Sequence, residues 1–136
     1  MIKQSLHSFR VKLAASFLGL LLLATFALAA QEGLTKRVRF TRGRTTTTLK
    51  NSVVRGTRDR YLVGARAGQK MTVSITSLEK NAVFTLHAPS NDTLEGAGEM
   101  HDATSWTGRL PENGDYVIEV GGTRGNATYT LAVTIR

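Results

Sequence analysis

The sequence predicts an all-β chain, a small antiparallel β-sandwich or jelly roll, and three observations carry the prediction. Beyond Gln31 the apolar residues recur at every second position, the period of a strand with one buried face. Short stretches of turn-forming composition separate these runs. No stretch after Gln31 places apolar residues at helical spacing. Short strands punctuated in this way make a sandwich rather than an alternating α/β fold.

The elements follow in order. Thr45 to Thr48 is a β-branched patch suited to an edge strand. Tyr61, Val63 and Ala65 alternate with Arg60, Leu62 and Arg66, and the turn Ala67-Gly68-Gln69 leads into Met71, Val73 and Ile75, which alternate with Thr72, Ser74 and Thr76. His87 shares a period of two with Val83 and Thr85 on a further strand, which gives it an ordinary structural role. A short strand-like stretch surrounds Trp106, and the turn Pro111 to Gly114 then introduces Tyr116, Ile118 and Val120. Gly121 to Gly125 separates that run from the clearest one, Ala127, Tyr129, Leu131, Val133 and Ile135.

The first thirty residues have a different plan. Lys3, Arg10 and Lys12 form a positive flank, and the uncharged run Leu13 to Ala30 ends in Ala27-Leu28-Ala29, an A-x-A cleavage site. We therefore expect a signal peptide over 1–29 and a single domain over 30–136, exported to the periplasm or secreted from a bacterial cell. We expect no stable membrane anchor after cleavage; the rival reading is an uncleaved anchor, since the eighteen residues of Leu13 to Ala30 reach the lower limit of what spans a bilayer. The chain has no cysteine, so neither a disulfide nor a lipid-bearing thiol is available, and stability must come from packing.

Charge is divided unevenly along the chain. Gln31 to Lys70 holds eleven Lys and Arg against two acids, whereas Met71 to Arg136 holds four against eight. A basic stretch can hold nucleic acid, anionic lipid or an acidic wall polymer, and since exported proteins rarely meet nucleic acid, no nucleic-acid partner is expected. The basic residues from Lys36 to Arg60 thus support one reading, an adhesive envelope domain binding anionic wall polymer. Interleaved with Thr, Val and Phe, they equally suit the solvated face of early strands.

Catalytic chemistry is poorly supplied. Nucleophilic catalysis needs a nucleophile, a base and an orienting partner, and the mature region offers only His87 and His101, with neither G-x-S-x-G nor H-E-x-x-H spacing. The expected protein is not an enzyme and needs no cofactor. Asp92, Glu95, Glu99 and Asp102 are a local concentration of carboxylates, weak candidates for calcium because their spacing fits no EF-hand, and the expected reading is a solvated loop with no metal. Trp106, the only tryptophan, has two readings: a partly exposed platform for a sugar or partner, or a core residue closing one end of the sandwich.

Four blocks carry a resemblance: Asp59-Arg60-Tyr61, Ala65-Arg66-Ala67-Gly68-Gln69-Lys70-Met71, Trp106-Thr107-Gly108-Arg109-Leu110-Pro111 and Gly114-Asp115-Tyr116. In this order they resemble the bacterial pre-peptidase C-terminal domain family over nearly all of residues 38–136. The resemblance implies an extracellular β-sandwich that is not itself catalytic. A free-standing periplasmic form of the pattern, the inhibitors of goose-type lysozyme, is similar in the Ala65 to Gln69 stretch and the Gly114-Asp115-Tyr116 turn. Related inhibitors present a Ser-Gly loop followed by Tyr, where this chain reads Glu112-Asn113-Gly114-Asp115-Tyr116, so the resemblance carries only Gly114 and Tyr116 across. The expected function is a binding domain that contacts an exported protein or wall glycan through loops at one sandwich end, with lysozyme inhibition as its narrower form. Glu112, Gly114, Asp115, Tyr116 and Trp106 are the expected contacts, with the Glu112 and Asp115 carboxylates steering toward and plugging a cationic enzyme cleft.

Overall fold

The described residues form eight strands: β1 (Thr35–Arg37), β2 (Thr46–Val53), β3 (Asp59–Ala65), β4 (Lys70–Thr76), β5 (Ala82–His87), β6 (Ser105–Arg109), β7 (Gly114–Gly122) and β8 (Ala127–Ile135). A single 3₁₀ turn, Glu99–His101, interrupts the connection from β5 to β6. The computed structural model describes residues 32–136. The signal peptide expected over 1–29 lies outside the described residues.

Two four-stranded sheets form, in the orders β1-β3-β7-β5 and β2-β8-β4-β6. Every neighbouring pair is antiparallel except β1 with β3. This exception departs from the purely antiparallel expectation and has a topological cause. The intervening β2 belongs to the other sheet, so the chain reverses twice before β3 arrives beside β1, running the same way.

The inward faces supply the core. Tyr61 and Val63 of β3, Met71, Val73 and Ile75 of β4, Phe84 and Leu86 of β5, Tyr116, Ile118 and Val120 of β7, and Tyr129, Leu131 and Val133 of β8 are all buried. Full burial of each aliphatic side chain stabilises the fold by about 1.5–3 kcal/mol. A one-residue slip would turn these sets outward, so the core fixes the register. At the end where β3 begins, the core holds a buried carboxylate, Asp59. It accepts hydrogen bonds from the Tyr129 hydroxyl (2.6 Å), Asn51 Nδ2 (2.9 Å) and the Leu34 amide (2.9 Å). Tyr61 joins through a 2.5 Å hydroxyl contact with Tyr129, their rings edge to face at 6.4 Å. Five groups from β2, β3, β8 and the segment before β1 thus close one satisfied network, the condition for a buried polar group not to destabilise.

The solvent faces differ in chemistry. On the second sheet Thr46, Thr134, Thr72 and Thr107 form one row across all four strands, followed by Thr48, Ala132, Ser74 and Ser105. Hydroxyls pair across strands at 2.8 Å (Thr46 with Thr134) and 3.0 Å (Thr72 with Thr107). On the first sheet Glu119 stands between two basic side chains instead, 3.7 Å from Arg60 and 3.4 Å from His87.

Candidate functional site

At one end of the sandwich the connections β3–β4, β6–β7 and the exit from β5 are tied together. The Gly68 amide donates to the Leu110 carbonyl and the Leu110 amide to the Gln69 carbonyl, both at 2.8 Å. Side chains complete the ties: Asn113 Oδ1 accepts from the Ala67 amide (2.8 Å), Gln69 Oε1 from the Arg66 amide (2.8 Å) and Glu112 Oε2 from the Ser90 amide (3.1 Å). Asn, Gln and Glu serve here as backbone substitutes, which is why a polar turn sequence becomes an ordered surface.

Tyr116 locks this arrangement from below. Its hydroxyl donates to the Glu112 carbonyl (2.7 Å) and accepts from the Glu112 amide (2.9 Å), the four-residue return bond of a tyrosine corner. Burial pushes the Tyr116 phenol above its ordinary pKa, keeping it protonated as the donor. Gly114 between them has φ of 134°, a conformation that favours glycine, and a Cβ there would lie 3.1 Å from Pro89. The direct contact expected of Tyr116 is corrected in this respect: its side chain is 0% exposed, so it acts on the loop surface by holding Glu112.

Charge at this end differs from expectation. Asp115 forms a two-pronged pair with Arg37, at 2.8 Å and 2.6 Å, across Gly64. The hydrogen bonds from Arg37 hold the Asp115 carboxyl below its usual range, and those to Asp115 raise the Arg37 guanidinium. With Asp115 neutralised by Arg37 and Glu112 engaged by the Ser90 amide, the acidic plug is not assembled. Beside them lies an open cavity of about 440 Å³, with Phe40, Ala65 and Ile135 among its walls and Arg44, Arg66 and Gln69 at its polar side. Arg44 and Arg66 thus stand without carboxylate partners among the described residues, at the same end as Glu112 and Asp92. Neither Arg37 nor Arg44 stood out in the sequence, because the pairing of Arg37 with Asp115 spans 78 positions and leaves no local signal.

The other expected residues lie elsewhere. Trp106 faces inward on β6 opposite Val73, half-buried against the core. Its Nε1 donates to the Glu95 carbonyl (2.9 Å), and its ring lies over Gly108, where a Cβ would sit 2.5 Å from the indole. It walls the side of the sandwich and is separate from the loop end where Glu112, Gly114 and Asp115 meet. Asp92, Glu95, Glu99 and Asp102 do not converge: among the described residues no group of three or more His, Asp or Glu side chains comes together to hold a metal ion. His101 is exposed on the 3₁₀ turn. The basic first half is distributed over several surfaces, since Arg37 and Arg60 face carboxylates, Arg58 lies over Gly121, and Lys36 and Arg39 line a groove between β1 and Leu49 of β2.

No family model matches the chain, and no curated protein sequence matches it. Solved structures do. The chain is similar to Aeromonas hydrophila PliG, a periplasmic lysozyme inhibitor of g-type lysozyme, at 29% identity and a TM-score of 0.64, with 78% of this chain and 100% of that one covered. A mutant of the corresponding Escherichia coli inhibitor matches at 21% identity and a TM-score of 0.63, over 76% of this chain and 99% of that one. The pre-peptidase C-terminal domain of a collagenase from Bacillus anthracis matches at 19% identity and a TM-score of 0.56, over 77% and 99%. The described domain therefore has the β-sandwich fold common to the PliG inhibitors of g-type lysozyme and the pre-peptidase C-terminal domain.

Proposed function

We propose that the chain is an exported, non-catalytic binding domain that inhibits a lysozyme, and that the tied loops around residues 66–69, 88–92 and 110–113 form the face that meets the enzyme. The observation that carries this reading is the match in fold to an inhibitor of g-type lysozyme over the whole of that inhibitor's chain. The geometry supports it independently, because loops already held by hydrogen bonds lose little conformational freedom on association. Glycosidase clefts carry paired carboxylates, and Arg44 and Arg66 beside an open cavity present the complementary charge. In this account cations take the role that the sequence assigned to Glu112 and Asp115. The leader read over 1–29 and the periplasmic location of the similar inhibitors support export.

The test is binding of the purified protein to g-type, chicken-type and invertebrate-type lysozymes, alongside the Arg44→Glu/Arg66→Glu variant. One class should bind, and the double charge reversal should weaken that binding at least about tenfold, equivalent to about 1.4 kcal/mol. Binding to none of the three would overturn the reading. A second reading, adhesion to anionic wall polymer, is favoured by the exposed Lys36, Arg39, Arg42 and Lys50, none of which makes an ion pair among the described residues. It requires retention on such a polymer at low salt that falls away steeply as salt rises.

A further inference from the structure

The two sides of the sandwich are guarded differently. Along β5 the returning chain covers the sheet edge: the Leu86 amide donates to the Ala97 carbonyl (2.9 Å), the Leu94 amide to the Leu86 carbonyl (3.0 Å) and the Phe84 amide to the Ala103 carbonyl (2.9 Å). On the opposite side β1 pairs only with β3, and β2 only with β8. β2 is eight residues long, contains no proline and carries one guarding charge, Lys50. Edge strands of this length normally carry more protection against pairing with another chain.

The register shows which backbone groups stand open. The Ile135 amide donates to the Thr45 carbonyl (2.9 Å), which fixes the phase of the ladder. Residues 47, 49, 51 and 53 therefore exchange hydrogen bonds with β8, and Thr46, Thr48, Lys50 and Ser52 turn their amides and carbonyls away from it. Beside this edge lies a groove of about 500 Å³ lined by Thr35, Lys36, Arg37, Arg39 and Leu49. Arg37 is paired with Asp115, whereas Lys36 and Arg39 have no carboxylate partner among the described residues. A second copy of the chain docking here would oppose cation with cation, so the groove's charge selects an anionic occupant.

We propose that the Thr46 to Ser52 edge of β2 is a docking site for an extended acidic segment of another protein, which adds as a fifth strand to the second sheet. Its backbone bonds the open groups of Thr46, Thr48, Lys50 and Ser52. Its alternate side chains enter the groove, where carboxylates meet Lys36 and Arg39 and apolar groups meet Leu49. The proposal is independent of the lysozyme reading.

The probe is a short synthetic peptide of the repeat Glu-Thr-Val-Thr, which puts Glu and Val on the same face of an extended strand, titrated into the purified protein by calorimetry with amide shifts followed by NMR. The expected result is binding that shifts the Thr46, Thr48, Lys50 and Ser52 amides. Thr48→Pro removes an amide that makes no bond to β8, and should weaken binding at least about tenfold while leaving the fold intact. The same peptide N-methylated at alternate amides provides a second arm with the protein unaltered, and it should bind at least about tenfold more weakly than the parent. Lys36→Glu/Arg39→Glu should weaken the parent peptide similarly. Absence of binding overturns the proposal. So does equal binding of the N-methylated peptide or of a flexible polyanionic polysaccharide, since either would mean charge attraction without strand addition.

Discussion

Replacing Tyr116 by Phe removes one oxygen and changes nothing else about the ring, which makes it a sharp probe of how the loop end is held. That oxygen serves both backbone groups of Glu112, donating at 2.7 Å and accepting at 2.9 Å. Each bond contributes about 1 kcal/mol net, and partly buried groups left without partners add to the loss, so the expected destabilisation is about 2 kcal/mol. For a domain of this size that lowers Tm by roughly 10 °C. Urea unfolding should show a lower midpoint at unchanged m, the mark of lost stability without a change in the surface exposed. If the loop is the binding face, the same variant should dissociate faster from the lysozyme it binds, through loss of ordering at residues 110–113. A midpoint equivalent to wild type within about 0.5 kcal/mol would refute the claim that Tyr116 anchors this end.

Other perturbations probe separate parts of the molecule. Gly108→Ala places a Cβ 2.5 Å from the Trp106 ring, so the indole must move; the expected cost is about 1–3 kcal/mol, with a red-shifted Trp106 emission as the second readout. Asp59→Ala strips the acceptor from Tyr129, Asn51 and the Leu34 amide together, and chemical denaturation should record a loss of about 3 kcal/mol or more. All three tyrosines are held above the ordinary phenol pKa, chiefly by burial. A raised native pKa leaves its contribution to stability whole below the unfolded value of about 10, and that contribution is lost as pH rises beyond it. Tyrosinate absorbance should therefore stay low through pH ~10 and then rise in one step with unfolding; titration near pH 10 with native circular dichroism intact would contradict the buried network.

Much of the fold was legible because one buried face imposes a period of two. The runs in β3, β4, β7 and β8 point inward as their alternation indicates, and the Thr45 to Thr48 patch opens an edge strand. The parallel β1 was not legible: its three residues, Thr-Lys-Arg, are all exposed and bury no face that could set a pattern. Asp59 was equally hidden, since a carboxylate beside basic residues reads as solvated until Tyr129, Asn51 and Leu34 arrive from other parts of the chain. The turn Pro111 to Gly114 was legible, and it joins β6 to β7, but the electrostatics beside it were not. Charge counted along the chain cannot reveal that Arg37 neutralises Asp115, a pairing made only by β1 lying beside β3 and β7. The four-residue spacing from Glu112 to Tyr116, at the start of an inward series, is a signal by which the tyrosine corner was open to recognition.

The most direct test of the central claim is lysis of cell wall by a g-type lysozyme, measured as the purified protein is added in increasing amounts, with chicken-type and invertebrate-type enzymes alongside. The account predicts that activity of one class falls with added protein and reaches its floor near one inhibitor per enzyme. Undiminished lysis by all three at a clear molar excess would contradict it, leaving the fold as described and the lysozyme reading without support.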